Sequence, residues 1–407
     1  MNVPDSLPDH RRLGRQLGIF ATDEAVGAGL PLWLPRGAIV RGELERFVVE
    51  LERRHGFHHV YTPELAKRSL YERSGHWAHY RDDMFPPMQV GGEELVLRPM
   101  NCPHHILVWQ AEPHRDRDLP YRLAELGTMF RNERSGVIGG LSRVRQATLD
   151  DGHIFCRPDQ IEAEIAGTLE LIDHAYRTLG IPPAILRLSR RGTGSKYVAD
   201  PAMWQRAEDV IRSTLSDLGR DYVEAEGEAA FYGPKIDLQV TDPQGREETL
   251  STVQVDFHLP ERFDLWIGHG AGRQRPVMIH RSITATAERM VAHLLEVHDG
   301  AFPLWLAPTQ VILLPVTGGN VAGARNVRDA LRAADVRVEL DDRDETLASR
   351  VRDAQQQRVP YLAVLGSREA AAGTVAVRSR GQDQPEEMEV GRFVDLVRSR
   401  SAERHPG

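Results

Sequence analysis

An α+β domain built on an antiparallel sheet with flanking helices, followed by a smaller α/β domain, is the fold class this sequence predicts. Three observations carry it. Two strand-like runs, "YRLAELGTMFRNE" and "VRQATLDDGHIFC", flank a glycine-rich loop, "RSGVIGGLSR", as an antiparallel pair does. Amphipathic helices closed by glycine lie among further strand candidates. Past Pro303 and Pro308 the pattern becomes a regular alternation of strand and helix, the signature of a parallel α/β unit. The prolines bracket a linker, which sets the domains at residues 1–302 and 303–407.

Taken in order, "RGELERFVVELERRHG" has apolar residues at helical spacing and stops on Gly56, giving a helix from about Gly37 to His55. "FHHVYTPEL" reads as a strand halted by Pro63, and "EELVLRPMNCPHHILVWQ" as strand, turn and helix. "RPDQIEAEIAGTLELIDHAYRTLG" and "PAMWQRAEDVIRSTLSDLG" are helices, each closed by glycine. "AILRLSRR", "PKIDLQVTD" and "LSTVQVDFHL" are strands, and a helix from about Ser282 contains "ATAERMVAHLLEVH". In the second domain "VILLPV", "VRVELDD" and "YLAVLG" alternate with the helices "VAGARNVRDALRAAD" and "TLASRVRDAQQQR".

The balance of 41% hydrophobic and 27% charged residues over 407 positions excludes a disordered or fibrous chain. No run reaches the roughly eighteen apolar residues of a membrane span, and the polar start is no signal peptide, so a cytoplasmic protein is expected. The two cysteines, Cys102 and Cys156, are too few for a disulfide framework. A net charge of −8 argues against indiscriminate nucleic-acid binding, while leaving room for a local basic surface.

Chemistry is concentrated in a few stretches. "NCPHH" and "LDDGHIF" offer thiol and imidazole, the ligands zinc prefers; the alternative for Cys102 is a buried small hydrophobe, the reading Cys156 also receives. Arg131, Arg143 and Arg145 surround the glycine-rich loop, either as a bidentate phosphate site or as a solvated hairpin tip. "RGTGSK" lacks the spacing of a phosphate-binding loop and is read as a turn. "PVMIHRSITATAERM" places His280 and Arg281 at a strand end and Arg289 in a helix, which suits an anion or else is a core helix with a snorkelling arginine.

In order along the chain, "SGHW", "RPMNCPHH", "FRNE", "RVRQATLDDGHIF", "FYGPKID", "TVQVDF", "PVMIHR" and the "ER" of Glu288 and Arg289 resemble a class II aminoacyl-tRNA synthetase, specifically the threonyl-tRNA synthetase family. The resemblance runs from "GLPLWLPRG" to "GTVAVRSR" and implies a class II synthetase catalytic domain followed by an anticodon-binding domain. It implies a threonine-tRNA ligase: threonine is activated with ATP to threonyl-adenylate and transferred to tRNA for threonine. It also implies one zinc on Cys102, His153 and His280, and Mg2+ with ATP. Threonine's amino group and hydroxyl would occupy the zinc, with Asp151 accepting from the hydroxyl and with Tyr232 and Gln254 lining the pocket. Arg131 would stabilise charge on the α-phosphate, Arg289 grip the γ-phosphate, Glu133 accept from the adenine amino group, and Arg143 bind phosphate. His76 matches a histidine of the transfer step, and Glu369 and Arg378 match anticodon contacts. The helix from about Gly37 lies in the region that forms the dimer interface of this class, so a homodimer is implied.

Some positions depart from the family pattern. Ala285 and Thr286 precede "ER" where glycine and a small residue are usual, Ala147 stands where many members have an aromatic, and Glu248 and Thr249 replace a Trp-Gln pair. His104 and Leu149 also vary. These changes bear on ATP affinity, and they give the alternatives: a tRNA-binding or regulatory paralogue with weakened ATP chemistry, or threonine activation for another acceptor. The resemblance to the catalytic core begins almost at Met1, so the ubiquitin-like and editing domains typical of bacterial members are expected to be missing and mischarged seryl-tRNA to need a trans-editing deacylase.

Overall fold

Long strands that alternate polar and apolar residues bury one face against each of two layers, and the computed structural model describes that arrangement over residues 7–268, 272–382 and 384–405. The strands of the main sheet are β1 (His58–His59), β2 (Tyr121–Phe130), β3 (Gln146–Cys156), β4 (Ile185–Arg190), β5 (Tyr222–Glu226), β6 (Lys235–Thr241), β7 (Glu247–Asp256) and β8 (Val277–Ser282). Their spatial order is β5-β4-β6-β7-β8-β3-β2-β1. Pairing is antiparallel except at the edges, where β5 joins β4 and β1 joins β2 in parallel.

Helices α1 (Pro35–Arg54), α3 (Ile161–Leu179), α4 (Pro201–Asp217) and α5 (Ala287–Val297) cover one face, and helix α2 (Cys102–Gln110) lies on the other. On α1, Val40, Leu44, Phe47, Val48 and Leu51 recur at helical spacing and join Ile154, Ile279 and Val253 of the sheet in the main core. On the opposite face, Ile106 and Trp109 of α2 pack with Leu123, Phe155 and Met278. The sheet alternation therefore directs His153 and His280 to the α2 face, beside Cys102.

The second domain orders its five strands as β10 (Val338–Leu340), β9 (Val311–Pro315), β11 (Tyr361–Leu365), β12 (Thr374–Ser379) and β13 (Glu386–Glu389). The expected parallel unit holds for β9, β10 and β11, while β12 and β13 add an antiparallel extension. The large core extends through Phe302, Trp305 and Leu306, and the core of the second sheet begins at Val311. Between the two, Arg337 pairs with Glu43 of α1 at 2.8 Å and Arg404 with Glu50 at 2.7 Å.

Elements of the first domain also differ from expectation. The strand expected at "FHHVYTPEL" is only the two-residue β1. The edge strand β5 was not expected from sequence, because its "YVEAE" is charged and mostly exposed. The helix expected from Ser282 starts at Ala287, since β8 continues through Ser282. Between them Ala285 takes φ 53°, a left-handed conformation that halts any helix, and Thr286 then caps α5 by accepting from the Arg289 amide.

Candidate active site

Sheet register builds the site. Leu123, His153, His280 and Gln254 stand directly opposite one another across β2, β3, β8 and β7, so their side chains leave the same face. Cys102 opens α2 above that row, and one donor atom from each of Cys102, His153 and His280 lies within 4.8 Å of the others. All three are buried.

The hydrogen bonds around the two histidines fix where their protons are. His280 Nε2 lies 2.9 Å from Asp256 Oδ2; a carboxylate only accepts, so Nε2 carries the proton and Nδ1 the lone pair. At the other end His105 Nε2 donates to Glu125 Oε2 at 3.2 Å, which leaves His105 Nδ1 as an acceptor for His153 Nδ1–H at 2.7 Å. With both rings neutral, His153 Nε2 is then a lone pair as well, and it faces that of His280 Nδ1 at 3.0 Å. Burial holds His153 well below the usual histidine range, so His153 does not itself take up a proton to relieve the opposition. A small cation relieves it: bonds of about 2.0 Å in tetrahedral geometry separate two nitrogens by about 3.3 Å. Cys102 adds a soft donor whose thiol burial pushes far up, and a bound metal would deprotonate it. The residues fit a metal with three protein ligands, each imidazole held from behind by an acidic partner directly or through His105.

The other residues expected around the amino acid lie next to this row. Tyr232 stacks on His280 with ring centroids 4.6 Å apart and donates to Gln254 Oε1 at 2.8 Å. Asp151 is directly across from Glu125, with Oδ1 3.9 Å from His153 Nε2, and burial pushes its carboxyl up to about 8. His76 is fully buried, with Nδ1 2.8 Å from Ser74 Oγ and an edge-on contact to Phe231. Its Nε2 has no hydrogen-bond partner among the described residues, and burial holds it down to about 3, hence neutral at pH 7.

Beyond Asp151 a cleft opens between the β2–β3 loop and the start of α5. Arg131, Glu133, Arg143, Ala147, Thr286 and Arg289 line it, so the four residues expected to hold ATP share one cleft. Arg143 pairs with Glu133 at 2.9 Å, and Arg289 Nε donates to the Ser142 carbonyl at 3.1 Å. Burial, then the nearby Arg131 cation, pulls Arg289 below the usual arginine range; a polyanion in the cleft would offset that repulsion. Arg281, read as a possible anion ligand, does not reach the cleft. It is wholly buried, paired with Glu52 of α1 and, at 2.5 Å, with Asp150.

In the second domain Glu369 lies in a short helix, Ser367–Ala372, and accepts from the Gly366 amide at 2.9 Å as a cap. Arg378 on β12 donates to the Gln382 carbonyl at 3.0 Å. Sequence reasoning missed His105, Asp256 and Glu125, the groups that orient the histidines. The signal was present: Asp256 follows Gln254 by two, and Glu125 follows Leu123 by two, so both lie on the site face once the strands are paired.

Residues 85–298 match the tRNA synthetase class II core domain (G, H, P, S and T), and residues 310–400 match the anticodon binding domain. The chain is 51% identical over 394 residues to the threonine–tRNA ligase of Oceanobacillus iheyensis, and 50% identical over 390 residues to threonine–tRNA ligase 1 of Bacillus subtilis. These matches take in 96% and 95% of the chain but 61% of each relative's length. Among solved structures, the RNA binding domain of threonyl-tRNA synthetase from Cryptosporidium parvum superposes with a TM-score of 0.92 at 36% identity, over 96% of this chain and 98% of that one. A putative threonyl-tRNA synthetase from Aeropyrum pernix gives 0.86 at 27% identity, over 98% and 97%. The sheet with its three converging donors, the arginine cleft beside them and these matches together place the chain among the class II aminoacyl-tRNA synthetases, in the threonyl-tRNA synthetase family.

Proposed function

We propose that this chain is a threonine-tRNA ligase, which forms threonyl-adenylate from threonine and ATP and passes the threonyl group to tRNA for threonine. The observation that carries the reading is the pair of opposed lone pairs on His153 and His280 beside Cys102, one step along the sheet from an arginine cleft. Zinc suits this donor set, and when bound it would offer open positions to the amino group and hydroxyl of the amino acid.

The residues then divide the work. Asp151 accepts from the threonine hydroxyl, and Tyr232 and Gln254, already bonded to each other, close the pocket around the amino acid. The threonine carboxylate attacks the α-phosphate and pyrophosphate leaves; Mg2+, when bound, would share the charge of the phosphates. Arg131 stabilises the charge that develops on the α-phosphate. Arg289 and Arg143 hold the outer phosphates, and Glu133 accepts from the adenine amino group. His76, neutral and with Nε2 free of partners among the described residues, serves the transfer step by accepting from the ribose hydroxyl that attacks the threonyl carbonyl as AMP leaves. The anticodon is read by the domain over 303–407 through Arg378, with Glu369 shaping the adjoining turn. A homodimer through α1 and a cytoplasmic setting complete the reading; no helix among the described residues is long and apolar enough to cross a membrane.

The decisive experiment is threonine-dependent exchange of pyrophosphate into ATP. Exchange that needs threonine supports the reading, and ATP binding without exchange would overturn it in favour of a tRNA-binding paralogue.

A further inference from the structure

The first described helix, His10–Gln16, belongs to no functional motif, yet its first residue is buried where three elements meet. Asp9 caps this helix, and Leu13 and Leu17 seat it in the main core. His10 Nδ1 lies 2.7 Å from Glu296 Oε1 on α5, and the His10 amide donates to the same oxygen at 3.0 Å. A carboxylate only accepts, so Nδ1 carries the proton and Nε2 of the neutral ring is an acceptor. That acceptor meets the Leu141 amide at 3.3 Å, with the Gly139 carbonyl also 3.3 Å away.

Gly139 and Leu141 lie in the β2–β3 loop, immediately before Ser142 and Arg143. The fit is close: Gly140 takes φ 56°, and a Cβ there would lie 2.5 Å from His10 Nε2 and 2.7 Å from Arg11 Cγ. Neighbouring bonds carry the constraint into the cleft. Gly139 and Arg143 form a bridge, with the Gly139 amide donating to the Arg143 carbonyl at 3.1 Å, and the Ser142 carbonyl receives Arg289 Nε. His10 therefore joins the limb that carries Arg143 to the helix that carries Arg289.

We propose that His10 is a positioning residue for ATP, a latch that sets the spacing of Arg143 and Arg289 without touching the nucleotide. The proposal rests on the cleft being the ATP site. An unlatched limb would have to be ordered by ATP itself, so ATP affinity falls while the threonine pocket, built on strands, is unchanged.

The test uses His10→Asn and His10→Ala in the full chain. Asparagine keeps an amide donor for Glu296 and so keeps the helix docked, but its side chain is too short to serve Leu141 as well. Both variants should show faster amide hydrogen exchange across residues 139–143. Both should raise the ATP KM about fivefold, the equivalent of one net hydrogen bond, with kcat and the threonine KM within about twofold of wild type. Unchanged exchange in that segment, or ATP and threonine KM rising together, would overturn the latch. If the wild type activates no threonine, the proposed function fails separately. The latch is then judged by equilibrium ATP binding: about fivefold weaker binding supports it, and equal affinity sinks it.

Discussion

The donor row and the arginine cleft adjoin each other on one sheet but are held in opposite ways. Cys102, His153 and His280 sit on regular elements, buried, with each imidazole backed by Asp256 or by His105 and Glu125. Arg131 and Arg143 lie at the ends of a loop; Arg143 is exposed, and it pairs with Glu133, itself expected to bind the nucleotide. A site on strands discriminates by not yielding, because its geometry is fixed before the ligand arrives. A site on a loop can close around a flexible polyphosphate and open again. On this account amino-acid choice is assigned to the strand-borne half and nucleotide binding to the loop-borne half.

The largest effect should come from removing a donor of the rigid half. Cys102→Ala is expected to reduce bound zinc from about one equivalent to none by elemental analysis, with threonine activation lost along with it. Retention of the metal would show that the trio is not the site. Next is Arg131→Ala, for which roughly a hundredfold slower pyrophosphate exchange is expected with full metal content, since a charge-assisted contact to the developing oxyanion is worth about 3 kcal/mol. If metal content fell as well, the two halves would not be separable.

A group behind the donors should matter less than a donor. Asp256→Asn keeps the shape, but its amide can turn a donor toward His280 Nε2 and upset the proton order, so a roughly tenfold loss of zinc affinity is expected. The ATP KM should not move, and a parallel rise would contradict the division.

The smallest effect concerns Ala285. Relief of the left-handed conformation is worth about 1–2 kcal/mol, and the extra chain entropy of glycine takes back about 0.5–1 kcal/mol. Ala285→Gly should therefore stabilise by about 0.5 kcal/mol, read as a higher urea midpoint at unchanged slope. Destabilisation would mean that the alanine methyl contributes packing that outweighs the backbone term.

The same contrast explains what could be read from the sequence. Alternation made β2 and β3 visible, and their glycine-rich connection marked the arginine loop, but whether its arginines formed a phosphate site or a solvated hairpin tip was decided only by the family resemblance. The rigid half was legible only through family resemblance, because Cys102, His153 and His280 are far apart in sequence and converge through strand register. Register is a tertiary property, and His105, Asp256 and Glu125 stayed hidden for that reason. Arg281 shows the reverse failure: beside His280 it looks like a ligand, yet the pleat turns it to the other face, into Glu52 and Asp150. The antiparallel extension by β12 and β13 was missed because these strands follow the alternating unit without a helix long enough to announce them.

The most direct measurement is pyrophosphate exchange with threonine and with valine, side by side on the zinc-loaded protein. Valine has threonine's shape without its hydroxyl, so a rigid metal pocket loses a ligand that it cannot replace. The expected result is a ratio of kcat/KM on the order of ten thousand in favour of threonine. A ratio of roughly a hundred or less, the discrimination an apolar cavity supplies by size alone, would contradict the assignment of Cys102, His153 and His280 as the selective centre.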